Sequence, residues 1–114
     1  MEIAHFKKYP ERLQTDNIII LGDFNLTEKH NVWNPLYKKG YKPAIKNTAT
    51  TLKRKCKNGV YTNHAIDNIY YNSRIVQVEN SGIVDFVSTC SNLVKARMIS
   101  DHLPVFLEMS VVDR

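Results

Sequence analysis

The chain predicts a layered α+β or α/β fold in which strands outnumber helices, and three observations carry that prediction. The apolar run Ile18-Ile19-Ile20-Leu21 has the length of a buried strand. Residues 66–71 add a second apolar stretch, interrupted at Asp67 and Asn68. Leu103, Val105, Leu107 and Met109 alternate with other residues, so they share one face of a third strand. Such faces are buried by stacking in layers.

In chain order, residues 2–15 read as a short helix with Ile3, Phe6 and Leu13 on one face and Pro10 disturbing its middle. Asn17 to Leu21 reads as a buried strand that the chain leaves through Gly22–Asn25. Thr27 to Tyr37 is expected to loop into a short helix around Val32–Lys38, closed by Gly40. Pro43 to Gly59 lacks periodicity, and Thr48, Thr50, Thr51 and the basic residues after them suggest an extended loop. Strands are expected over Ile66–Tyr71, Ile75–Glu79 and Leu103–Met109, with Ile83–Val87 a further strand or strand edge. No repeat or linker divides the chain, which reads as one unit over 1–114.

With 43% hydrophobic and 24% charged residues, the composition is that of a globular protein. No apolar stretch approaches the roughly 20 residues of a membrane span. Glu2, Lys7, Lys8, Glu11 and Arg12 interrupt any apolar core of a signal peptide. Sixteen Lys and Arg against eleven Asp and Glu give a formal charge of +5, which suits a polyanionic partner. The densest cationic stretch, Lys53-Arg54-Lys55-Cys56-Lys57, precedes an Asn58-Gly59 turn signal. It reads either as a contact for a phosphate backbone, through Lys53, Arg54 and Lys55, or as a solvated loop tip. Cys56 and Cys90 fit no zinc or redox spacing. They form one disulfide or stay free, and in the second case the cations around Cys56 favour a reactive thiolate.

Chemistry concentrates in three short stretches: Gly22-Asp23-Phe24-Asn25, Ala65-Ile66-Asp67-Asn68-Ile69-Tyr70, and Ser100-Asp101-His102-Leu103-Pro104-Val105. Asp23 and Asn25 are two apart, so on an extended chain they point to the same side while Phe24 anchors the segment. A carboxylate and an amide there make a hard-oxygen site suited to Mg²⁺, to which Asp101 can contribute. An Asx turn is the structural alternative for Asp23 and Asn25. His102 has an ordinary pKa near 6.5, which suits proton transfer or charge stabilisation at neutral pH. Asp67, on an otherwise apolar strand, needs a partner if buried, and His102 would provide one. His64 lies in the loop entering the same strand and is a weaker candidate, His30 reads as surface, and His5 falls in the first helix. Trp33, Tyr37 and Tyr41 suit packing of a helix onto the sheet better than base stacking.

These three motifs, in this order from about Asn17 onward, resemble the endonuclease/exonuclease/phosphatase superfamily, which includes deoxyribonuclease I. The resemblance implies a two-sheet α/β sandwich of which this chain is the β-rich C-terminal half. It also implies Mg²⁺-dependent phosphodiester hydrolysis, with Mn²⁺ or Ca²⁺ as substitutes, on nucleic acid or another phosphate ester. Under it Asp23 sits near the attacking water, Asn25 is a ligand of the scissile phosphate, and Asp67 orients His102. Asp23, Asn25 and Asp101 form the metal side. A metal-binding Glu, an Asn and a second His precede the Gly-Asp-Phe-Asn strand in that family, and residues 1–21 do not contain the set. His5 does not match that second His. The resemblance therefore leaves open a non-catalytic fragment that self-associates through an uncovered sheet face or binds phosphate-rich partners. Deoxyribonuclease I carries a disulfide in this general region, which favours pairing of Cys56 with Cys90.

Overall fold

The computed structural model describes residues 5, 6 and 8–112. Of these about 24% are helical and 37% lie in strands, so β structure dominates a mixed α/β fold. Three small antiparallel sheets organise the described residues. The first has the order β1 (Ile19–Asp23), β5 (Asp67–Asn72), β2 (Tyr41–Pro43). The second is the hairpin of β3 (Leu52–Lys57) and β4 (Val60–Thr62), and the third pairs β6 (Val76–Ile83) with β7 (Val105–Val111). The described residues also form three short α-helices, α1 (Tyr9–Leu13), α2 (Asn34–Lys38) and α3 (Leu93–Ile99), the last two each preceded by a 3-10 turn.

An aromatic core fixes the first sheet. Trp33 and Tyr70 are both fully buried and stack with ring centroids 4.1 Å apart. Phe24 meets the edge of Trp33 at 5.0 Å, so the residue between Asp23 and Asn25 does anchor that segment. Tyr37 and Tyr41 belong to the same cluster, in the packing role that their spacing suggested. A second core, Leu52, Val87, Leu93, Ala96 and Leu103, joins β3 to α3 and to the segment entering β7.

Several boundaries differ from expectation for identifiable reasons. Pro10 stands at the start of α1 instead of disturbing its middle, where its missing N–H costs nothing. Ile3 lies outside the described residues. β1 begins and ends two residues later than expected, and it is half-exposed instead of buried. As an edge strand paired only with β5 it leaves Ile19 and Leu21 36% and 67% exposed. The expected loop over Pro43–Gly59 contains the strand β3, because Leu52 and Cys56 turn into the second core while Arg54, Lys55 and Lys57 stay in water. Asn58 and Gly59 have φ of 54° and 78°, the left-handed pair that a tight two-residue hairpin turn requires. The expected strands at Ile75–Glu79 and Ile83–Val87 are replaced by one, β6, with a register shift between Val78 and Asn80. Helix α3 was not expected. Cys56 and Cys90 are joined in a disulfide with Cα atoms 6.0 Å apart, so the reactive-thiolate alternative does not apply.

Candidate functional site

The site grows out of the pairing of β1 with β5. Their register sets Asp23 opposite Asp67 and Gly22 opposite Asn68. Directly opposed residues of an antiparallel pair share a face, so both carboxylates emerge on one side. Asn68 takes the other side, where it is buried: its Oδ1 accepts from the Ile45 N–H at 3.0 Å and its Nδ2 donates to the Ile45 carbonyl at 2.8 Å.

Two like charges opposed across strands repel, and His102 lies against both. Its Nδ1 is 2.8 Å from Asp67 Oδ2. Its Nε2 is 3.8 Å from Asp23 Oδ2 and 3.8 Å from Asp101 Oδ1. The ring is delivered by backbone stitching between residues 50–52 and 101–103. The Leu52 N–H donates to the Asp101 carbonyl at 2.8 Å, and the Leu103 N–H donates to the Thr50 carbonyl at 2.7 Å. Thr51 and His102 form an isolated antiparallel bridge between these hydrogen bonds.

The hydrogen bond to Asp67 raises the His102 pKa above its ordinary 6.5. Partial burial opposes that rise, while the charges of Asp67, Asp23 and Asp101 add to it. Three carboxylates around one ring thus favour the imidazolium.

Thr50, a residue that sequence reasoning assigned no role, holds this arrangement together. It is fully buried. Its hydroxyl donates to Asp67 Oδ2 at 2.6 Å and accepts from the N–H groups of Asp67 and Ile66 at 3.0 and 3.2 Å. Oδ2 of Asp67 therefore serves two donors, Thr50 and His102. The usable clue in the sequence was Asp67 itself, since a half-buried carboxylate needs more than one donor.

Other candidates lie as follows. Asn25 has a left-handed φ of 56°, so the extended alternation expected to align it with Asp23 stops short of it. Its backbone N–H donates to Asp23 Oδ1 at 3.0 Å, the Asx turn considered above, while Asp23 Oδ2 faces His102. Lys53, Arg54 and Lys55 lie along β3, which leaves the site directly after Thr51. His64 is exposed and supports the site with its main chain: its carbonyl accepts from the Thr50 N–H at 2.7 Å. Nδ1 of His30 accepts from the Val32 N–H at 3.1 Å, and His5 is exposed on the surface.

The cluster is open to solvent, with the side chains of Asp23, His102 and Asp101 39%, 35% and 64% exposed. A cavity of about 600 Å³ lined by Glu11, Lys39, Tyr41 and Arg74 contains none of these residues. One ligand atom each from Asp23, Asp67 and His102 lies within 4.8 Å of the others, a spacing that could hold a metal ion. No family model, curated protein or solved structure matches the chain.

Proposed function

We propose that the chain carries a site for Mg²⁺-dependent phosphodiester hydrolysis of the nuclease type, resembling that of deoxyribonuclease I, within the C-terminal half of a two-sheet sandwich. The observation that carries the proposal is the Asp67–His102 hydrogen bond of 2.8 Å, with Asp23 and Asp101 on the opposite side of the same ring.

The donor set fits a hard divalent cation. Asp23 and Asp101 are exposed carboxylates whose Oδ2 and Oδ1 each lie 3.8 Å from His102 Nε2, and their exposure suits an ion that keeps several waters. Asp23 and Asp101 would hold it, with Asn25 as a further oxygen donor. Mn²⁺ or Ca²⁺ would use the same ligands. Asp67 is better suited to orientation than to ligation, because its Oδ2 already accepts from Thr50 and pairs with His102. The ion, when bound, acts as a Lewis acid on a phosphoryl oxygen.

The chain's own residues supply the rest. Asp67 fixes the His102 ring and favours its cation, in the manner of an acid–His pair. The imidazolium presents its Nε2–H to charge developing on the phosphate. Asp23 Oδ2, beside Nε2, orients the attacking water and takes its proton. Exposure of the cluster suits a large substrate, and the cations of β3 beginning next to Thr51 favour a polyanion such as nucleic acid.

A supercoiled-plasmid nicking assay with Mg²⁺ tests the proposal. The wild type is expected to nick, and His102→Ala to lose about 10²–10³ in rate, the usual cost of removing one preorganised donor to developing charge. Equal nicking by both proteins would refute the role of His102.

A second reading keeps the fold without the chemistry: a module that self-associates or binds phosphate-rich partners. The exposed Leu21 and Val111, at 67% and 69%, favour it. Absence of Mg²⁺-dependent nicking together with a dimer would support this reading.

A further inference from the structure

Glu28 is a buried acid without a counter-charge. It is 8% exposed, and the Asn47 N–H donates to its Oε1 at 2.8 Å. That is the carboxylate's one hydrogen bond among the described residues, and it forms no ion pair with any of them. A buried carboxylate is costly unless further donors meet it. Its Oε2 is not sealed in the core, because the sealed side-chain polar atoms lacking a partner among the described residues are the Tyr41 and Tyr70 hydroxyls.

Glu28 lines a cavity of about 380 Å³, within the range of roughly 300–1,000 Å³ common for small-molecule sites. Tyr37 and Pro43, both half-buried, give this cavity an apolar wall, and exposed Lys29, Lys42 and Lys46 line it as well. The Tyr37 hydroxyl donates to the Glu28 main-chain carbonyl, which holds the acid beside the ring. An acid next to an aromatic ring would suit a cation, but three lysines against one carboxylate disfavour it. The ligand that fits is anionic at one end, and flat with N–H donors at the other. A nucleotide has that form.

Guanine matches the carboxylate best, because its N1–H and its 2-amino group are adjacent donors. Adenine and cytosine set a ring acceptor beside their amino group, and uracil flanks its N3–H with two carbonyl oxygens that would repel Glu28. A carboxylate oxygen accepts more than one hydrogen bond, so the Asn47 contact leaves Oε1 able to take part.

We propose that this cavity binds an unpaired guanine nucleotide, with Glu28 accepting from N1–H and the 2-amino group, the base against Tyr37 and Pro43, and the lysines meeting its phosphates. The base is unpaired because Glu28 reads the edge that pairing would occupy. Two short segments join the cavity to the candidate site. Glu28 follows Asp23 by five residues, and Asn47 precedes Thr50 by three, a span of at most about 11 Å. Binding itself requires no metal. Its consequence, cleavage beside an unpaired guanine, rests on the hydrolytic reading.

Amide NMR titration of the full chain with GMP, AMP, CMP and UMP, in the absence of Mg²⁺, tests the proposal. GMP is expected to shift the Asn47 amide and to bind about tenfold or more tighter than the other three. Inosine monophosphate, which lacks the 2-amino group, is expected to bind more weakly than GMP. Glu28→Gln keeps the size of the side chain and should remove the preference for GMP, whereas Lys42→Ala/Lys46→Ala should weaken all four nucleotides alike. Thermal melting checks that the variants fold, and the inosine comparison probes the same contact in the wild type. No binding of GMP, equal binding of the four nucleotides, or an undiminished preference in Glu28→Gln would overturn the proposal. A chain that selects GMP but does not nick DNA would support this site and count against the hydrolytic reading alone.

Discussion

Replacing Thr50 with Val changes one hydroxyl for a methyl of similar size, so nearly all of its effect is polar. In the fully buried position of Thr50 the change removes a donor to Asp67 Oδ2 and an acceptor for two backbone N–H groups, those of Ile66 and Asp67. A hydrogen bond to a charged group contributes about 1.5–3 kcal/mol, and each buried backbone N–H left without a partner adds about 1–3 kcal/mol. These losses overlap at one atom, so about 3–5 kcal/mol is expected, a large share of the roughly 5–15 kcal/mol that holds a domain together. Thr50→Ser keeps the hydroxyl and sacrifices only a methyl, at about 1 kcal/mol. Urea unfolding of the two variants measures the difference. Proton NMR titration of His102 separates positioning from mere stability, because Thr50 and His102 share Asp67 Oδ2. The His102 pKa is expected to move in Thr50→Val and to hold in Thr50→Ser. A Thr50→Val protein within about 0.5 kcal/mol of wild type, with an unchanged His102 titration, would refute the reasoning.

The Asp67–His102 pair and the disulfide give further outcomes. His102 should titrate above 6.5 in the folded protein, and Asp67→Asn should bring its pKa down, as NMR can follow. Because the folded pKa is the higher one, the stability gained from this group is complete below about pH 6.5 and is lost as pH rises through the folded value; Asp67→Asn should flatten that dependence in denaturation measured across pH. Reduction of the disulfide, which links residues 34 apart in sequence, should cost about 4 kcal/mol from the freed unfolded chain, and a Cys56→Ser/Cys90→Ser variant should show the same loss in urea.

What the sequence made legible was chemistry attached to strong local pattern. Asp67 announced its partner because a carboxylate on an apolar strand has to be satisfied, and His102 was the group available. Trp33, Tyr37 and Tyr41 were readable as packing residues from helical spacing. The Asn58-Gly59 turn was visible, yet the strands on either side of it were not. β3 carries four cations in six residues, and only the tertiary contacts of Leu52 and Cys56 reveal it as a strand. α3 was hidden for a related reason, since its exposed positions are as apolar as its buried ones and leave no amphipathic contrast. Thr50 was obscured by its neighbours: one of three threonines in a segment without period, it acquires a role only when β5 and the His102 loop close around it.

The most direct test of the central claim is the pH dependence of Mg²⁺-dependent phosphodiester cleavage in wild type, His102→Ala and Asp67→Asn. If the imidazolium held by Asp67 stabilises the reacting phosphate, wild-type cleavage falls on the alkaline side, His102→Ala is depressed at every pH, and Asp67→Asn moves the alkaline fall to lower pH. Cleavage that survives in His102→Ala, or an alkaline limb that Asp67→Asn leaves in place, would contradict the claim.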